Sequence, residues 1–237
     1  MLYVSYIVLI RPYSYRWRPC HGSQEYDVCL PLNYSVIGID VSHHQGDIQW
    51  GKMNPEGCQH PLKFVFIKAT EGGDFKDENY EKNLAGAREA GLACGSYLFF
   101  NPSTPASAQA DFFIRNVSLM PGDLPPVIDV ERRGNSPQSL QKSLLECLRI
   151  LENHYGVRPI VYSSYRFRKR YLDNPLLDEF PAWMAHYYVE EPEEDADWLL
   201  WQFTDRGVVD GIEGYSDLNV FNGSEAEFRN LTVKSVR

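Results

Sequence analysis

From residue 36 onward, short apolar runs alternate with stretches whose apolar residues recur at helical spacing, and this alternation constrains the fold more than any other feature. FVFIKA at 64–69 is nearly continuous apolar sequence, the signature of a parallel strand covered on both faces. VIGIDV (36–41), CGSYLFF (94–100), PPVIDVE (125–131), PIVYS (159–163), PAWMAHY (181–187) and DWLLWQF (197–203) read as further strands, with an eighth before or around Asp217. One helix is predicted at 78–90, with Asp77 as its N-cap, Tyr80, Leu84 and Ala87 on one face and Gly91 as its stop. A second runs from Thr104-Pro105 to the Pro121-Gly122 break. A third runs from Ser136-Pro137 to Gly156 through Leu140, Leu144, Leu148, Leu151 and Tyr155. Repeated βα units with a β-rich end predict an α/β fold, a TIM-like barrel irregular in its last units, over an open doubly wound sheet. The length of 237 residues accommodates that barrel as one domain but also permits bundles and sandwiches.

The barrel is expected over 36–223. Residues 1–35 read as an N-terminal extension, extended or hairpin-like, with the runs VSYIVLI, YSYRW and YDVCLP separated by Pro and Gly. Residues 224–237 read as a C-terminal tail or last strand packed on the barrel. The opening MLYVSYIVLI is too short to span a bilayer and has neither a preceding basic region nor a clear cleavage site. It reads as the remnant of an export signal or as a hydrophobic strand.

The formal net charge of -9 and the lack of a basic tract long enough to follow a phosphate backbone argue against a nucleic-acid partner. RFRKR at 166–170 is the solvated face of a short helix, and the acid run at 190–197 a solvated loop. If the substrate is an anionic polymer, the charge gives no long-range attraction and recognition must be local. The 15 Tyr, 12 Phe and 5 Trp suit sugar stacking and a well-packed core equally. Cysteines stand at 20, 29, 58, 94 and 147 with no CxxC pair; Cys20 and Cys29 flank a short polar stretch and are a possible disulfide in an oxidising compartment, while Cys94 and Cys147 fall in apolar patterns and read as buried thiols. No GxSxG elbow or glycine-rich phosphate cradle is present. His43-His44 with Asp47 lack ligand spacing and read as substrate hydrogen bonds or loop structure, so no metal and no cofactor is expected.

The chemistry-bearing pattern is acidic. Side chains alternate along a strand, so Val127, Asp129 and Glu131 share one face of PPVIDVE while Ile128 and Val130 point to the other. If the apolar pair packs on the outer helices, two acids face the barrel axis at the C-terminal strand end, where this fold carries its chemistry. There one acid can be held protonated by burial and a charged neighbour while the other stays ionised, the arrangement glycosidic cleavage needs. Asp40 repeats the logic on the first strand. Lys68, Glu71, Asn101, Tyr162, Trp183, His186, Tyr187, Gln202 and Asp217 also follow or end predicted strands. Of these, Tyr162, Trp183 and Tyr187 are either sugar-stacking rings or core and rim packing. A single strand-end acid is as readily a helix cap or surface residue; three converging from different strands weigh against that.

IGIDVSHHQGDIQW, FVFIKATEG, QADFF, PPVIDVE, PAWMAHY and LLWQFTDRGVVDGIEGYSDLNVF together resemble the glycoside hydrolase family 25 lysozymes, the N-acetylmuramidases, from about Val36 to Phe221. The extension YSYRWRPCHG is similar to that of members from Bacteroides-like bacteria. The resemblance implies hydrolysis of the β-1,4 bond between N-acetylmuramic acid and N-acetylglucosamine. It places catalytic-site acids at Asp40, Asp129, Glu131 and Asp217, with Glu131 as general acid. Asp129 either supports participation of the substrate's 2-acetamido group or assists through charge. It implies peptidoglycan strands as partner; Lys68, Glu71, Tyr162, Trp183, Tyr187 and Gln202, chosen for their strand-end places, are the substrate-binding candidates. It also implies a monomer needing no protein partner, secreted, periplasmic or at the cell surface. One departure is Leu98 in SYLFF, where members usually carry histidine; it is expected to alter a subsite or the hydrogen bonding around Glu131. The alternatives are hydrolysis of another N-acetylated glycan such as chitin, and a wall-glycan binding protein without catalysis.

Overall fold

The computed structural model describes residues 20, 24–31, 33–192 and 197–234. MLYVSYIVLI, YSYRW and positions 193–196 of the acid run lie outside them, as does most of YSYRWRPCHG. Strands β1 (Gln24–Glu25) and β2 (Val28–Cys29) form an antiparallel hairpin. Its two-residue turn places Tyr26 and Asp27 at positive φ, the backbone twist that tight hairpins require. Cys20 is disulfide-bonded to Cys29, while Cys94 and Cys147 are buried free thiols. The hairpin is tied to the barrel: the Glu25 carboxylate accepts from the backbone N–H of Gln59 and of His60, and the Tyr26 hydroxyl donates to the His60 carbonyl at 2.7 Å.

The sheet closes on itself. Strands β3 (Ile37–Val41), β4 (Leu62–Glu71), β6 (Ala93–Phe99), β7 (Val127–Asp129), β8 (Ile160–Ser164), β9 (Ala182–Ala185), β10 (Leu200–Gly207) and β11 (Ser216–Phe221) form a ring, and β3 pairs with β4 to close it; β5 (Phe75–Lys76) is a short return strand on β4. Every neighbouring pair in the ring is parallel except those of β11, which runs antiparallel to β10 and β3. Residues 208–215 are too few for the crossover that a parallel eighth strand demands, so the chain returns as a hairpin, and this is the irregularity expected of the last units. Among the described residues no helix is long and apolar enough to cross a membrane.

Helices α1 (Tyr80–Glu89), α2 (Ala106–Asn116), α3 (Pro137–Tyr155) and α4 (Tyr165–Tyr171) follow β5, β6, β7 and β8 in the chain and cover the outer wall. The third predicted helix has its ends where expected: Ser136 accepts from the Ser139 N–H, and Gly156 closes the helix at φ 69°. Other boundaries shift. Asp77 does not cap α1, because its oxygens are engaged by the His43 N–H, the His43 ring and the Asn79 N–H; the helix starts after Asn79. In α2 Pro105, not Thr104, stands at the N-cap position, with no side-chain capping hydrogen bond, and the helix ends at Asn116, beyond which Val117 is extended, well short of Pro121. β10 begins and ends later than the apolar run at 197–203 suggests. The C-terminal segment contains a helix, α5 (Glu225–Leu231), whose Phe228 packs 5.4 Å from Phe64 and 5.3 Å from Phe221 and plugs the barrel end opposite the strands' C-termini.

Large rings fill the barrel because small residues stand opposite them. A Cβ on Gly95 would lie 2.3 Å from the Phe66 ring, and one on Gly38 would lie 2.5 Å from that of Phe64. Gly95→Ala is therefore expected to destabilise the protein by roughly 1–3 kcal/mol through overpacking. An unchanged midpoint in urea unfolding would show that Phe66 moves aside freely.

Candidate active site

The alternation read from VIDVE holds in three dimensions. Ile128 and Val130 are fully buried in the layer between sheet and helices, while Asp129 and Glu131 open on a cleft of ≈ 340 Å³ at the C-terminal ends of the parallel strands. β7 ends at Asp129, so Glu131 stands just past the strand and is exposed to solvent in the cleft, whereas Asp129 is buried. Asp40, Lys68, Tyr162, Trp183, Tyr187, Gln202 and Asp217 line the same cleft. A larger outer groove of ≈ 880 Å³ between α4 and Trp198 holds none of the strand-end acids.

Asp40 anchors a fixed polar network. Its Oδ1 accepts from Gln202 Nε2 at 2.8 Å and from Asn219 Nδ2 at 2.7 Å. Gln202 Oε1 in turn accepts from the hydroxyls of Tyr162 at 2.8 Å and Tyr187 at 2.5 Å. Trp183 donates its indole N–H to Asn219 Oδ1 at 2.8 Å and is packed 4.7 Å from both Phe66 and Tyr162. At 2 % exposure its ring forms part of the cleft floor, and its indole N–H orients Asn219.

Other candidates fall elsewhere. Glu71 does not line the cleft; it pairs with Lys68 at 2.7 Å and Arg132 at 3.0 Å. His186 stacks on Tyr165, 4.5 Å between rings, and Asn101 is held by Gln109 and Ser103, so neither reaches the acids. His44 lines the cleft, but His43 is bound to Asp77 and Asp47 to Lys82, and among the described residues no group of ligating side chains suits a metal. Leu98 is fully buried on the helix side of β6, away from Glu131, so the expected disturbance of a subsite does not arise; its neighbours Tyr97 and Phe99 face the cleft. Tyr97, Phe99, Asn219 and Arg132 were missed by reading the sequence. Period-two alternation from Asp217 points to Asn219, and the same rule applied to SYLFF points to Tyr97 and Phe99.

A strand-end set of carboxyls in a closed barrel, ordered by an amide and tyrosine network, suits glycosidic bond cleavage. Residues 39–212 match the model of the glycosyl hydrolases family 25. The chain belongs to that family. It is 41 % identical over 220 residues to the uncharacterised protein YegX of Escherichia coli K12, covering 91 % of this chain and 79 % of YegX. It is 32 % identical to lysozyme M1 of Streptomyces globisporus, covering 81 % of this chain and 69 % of that protein. The solved family 25 glycosyl hydrolase of Bacillus anthracis superposes with a TM-score of 0.75 at 35 % identity, over 85 % of this chain and 95 % of that one. This family 25 hydrolase is thus an enzyme of the lysozyme class, a glycosidase.

Its four carboxyls crowd one another. Asp217 stands directly across from Asp40 in the β3–β11 register, beyond the segment matched to the family. Burial, then the charges of Asp40, Asp205 and Glu131, push its carboxyl up to about 8. Asp40 is pushed up to about 6 by burial, against the pull of the Asn219 and Gln202 hydrogen bonds. Glu131 is raised by the protein packed around its carboxyl even though its cleft is open, with Tyr162 and Arg132 holding it back. Asp129 is raised well above the usual range by burial, then by Glu131 and Asp40, and its Oδ1 has no hydrogen-bond partner among the described residues. In the free enzyme burial therefore raises both acids of the pair, not Glu131 alone. Partial burial of Glu71 works the other way, yet its ion pairs with Lys68 and Arg132 hold it below the ordinary value.

A carboxyl raised by folding gives stability that is complete below its unfolded pKa and is lost as pH rises through the folded one. For Asp217 that window runs from its ordinary 3.8 to about 8. Thermal stability should fall across it, and Asp217→Asn should flatten the fall, raising the melting temperature at pH 8 by roughly 5 °C. Parallel pH profiles for variant and parent would remove Asp217 from this role.

Proposed function

We propose that this enzyme hydrolyses the β-1,4 bond between N-acetylmuramic acid and N-acetylglucosamine in peptidoglycan, with Glu131 as general acid. The observation carrying the reading is that Asp129 and Glu131 open side by side into one cleft, the first buried and the second exposed with a raised pKa. Glu131 gives its proton to the glycosidic oxygen as the bond from that oxygen to C1 breaks. The acetamido oxygen of the same sugar attacks C1, and Asp129 accepts a hydrogen bond from the acetamido N–H, which favours its ionised form and balances the positive charge on the ring. Water then attacks C1 while giving a proton to Glu131, the bond between C1 and the acetamido oxygen breaks, and the acetamido group and the acid return to their starting states. Tyr162 and Tyr187 are raised far above neutral pH, so they act as neutral donors that fix Gln202 and Asp40. Action as a monomer without a required protein partner is part of this proposal. The Cys20–Cys29 disulfide supports placement outside the reducing cytoplasm.

The test is digestion of purified peptidoglycan, with identification of the new reducing-end sugar and NMR of the first anomer formed. Muramic acid released as the β-anomer is expected, because acetamido participation retains configuration. N-acetylglucosamine ends would defeat the bond assignment, and an early α-anomer would defeat participation. Chitin digested as fast as peptidoglycan would transfer the assignment to N-acetylated glycans in general.

A further inference from the structure

A chain of net charge -9 offers no long-range attraction to a substrate that carries carboxylates, so any favourable charge must be local. One wall of the cleft supplies that charge. Lys68, buried at 7 % exposure, sits with its Nζ 4.9 Å from the Phe99 ring centre, and the Arg132 guanidinium lies 4.7 Å from the same ring. Both cations share the single carboxylate of Glu71, so the wall is net positive. Glu71 engages Arg132 through Nη2, and the arginine side chain, half exposed (51 %), lies beside the cleft-lining ring of Phe99 and next in sequence to Glu131. Across the cleft stands Asp217, with the negative charge of Asp205 acting on it.

We propose that Arg132 is a specificity residue that pairs with a carboxylate borne by the glycan strand and so fixes which way the strand lies across Asp129 and Glu131. The assignment rests on the functional reading above. A guanidinium fork matches a carboxylate in two parallel hydrogen bonds, and one already held by Phe99 and Glu71 loses little freedom on binding. Two carriers offer this chemistry: the free lactyl group of a peptide-free muramic acid, and the acidic residues of a stem peptide, whose attachment turns the lactyl group into an amide.

The experiment measures kcat/KM for the wild type, Arg132→Gln and Arg132→Lys on peptide-free strands and on peptide-bearing strands, each before and after conversion of carboxylates to methylamides. The wild type should favour the untreated strands about fivefold to tenfold, the upper range for a pair partly shielded from water. Arg132→Gln should bring that ratio to about one, mainly through KM, and Arg132→Lys should recover part of it. Preference on peptide-free strands identifies the lactyl group as the partner; preference confined to peptide-bearing strands identifies the stem. A wild-type ratio near one, or a glutamine variant that slows every substrate in equal proportion, overturns the proposal. A wild type that cleaves no muramic-acid strand at all defeats the functional reading instead.

Discussion

Glu131→Gln is expected to lower kcat on peptidoglycan by about 10³-fold, with substrate binding and melting temperature close to those of the parent. Glutamine keeps the size and shape of the side chain but has no proton to transfer to the departing oxygen. Because glutamine matches Glu131 in volume and the residue stands at the cleft surface, its replacement leaves no cavity. The loss should depend on the leaving group: an aryl glycoside whose phenolate departs without protonation should be cleaved by the variant within about tenfold of the parent rate. Equal losses on both substrates would show that Glu131 does something other than protonate. Parent-like lysis by the variant would end its role altogether.

Asp129→Asn should cost about 10²–10³-fold in kcat, and here the leaving group should make no difference. The amide fits the buried site but has no negative charge to set against the ring as it turns positive, and every substrate passes through that charge. Stability should move the other way. Burial penalises the ionised form of Asp129, so a neutral amide should leave the melting temperature at pH 8 unchanged or raise it. A variant that is inactive because it unfolds would show Asp129 holding the barrel together, and a leaving-group-dependent loss would exchange the roles given to the two acids.

The difference between these variants reflects burial, which no periodicity reveals. Alternation along VIDVE put Asp129 and Glu131 on one face, but both acids look alike in the sequence; only the wall of β6 and β8 beside β7 makes one buried and leaves the other open. Leu98 shows the same limit in reverse. Leucine where family members usually carry histidine suggested an altered subsite, yet the position faces the helices, where an apolar side chain belongs. Counting alternation through SYLFF from Tyr97 would have placed it there.

Local physics fixed much of this protein in advance. Strand pleat and helix pitch are properties of consecutive residues, so the alternating βα order, the barrel, the ends of α3 and the inward face of each acid-bearing strand were legible along the chain. Asp40 meeting Asn219, 179 residues away in sequence, was not, nor was the raised carboxyl of Asp217 opposite it. Neither was the sharing of Glu71 between Lys68 and Arg132, which takes one wall of the cleft away from the acids and makes it positive. Charge interactions depend on distance through space and on how much water the surrounding protein excludes, and both are set only when the ring of strands closes.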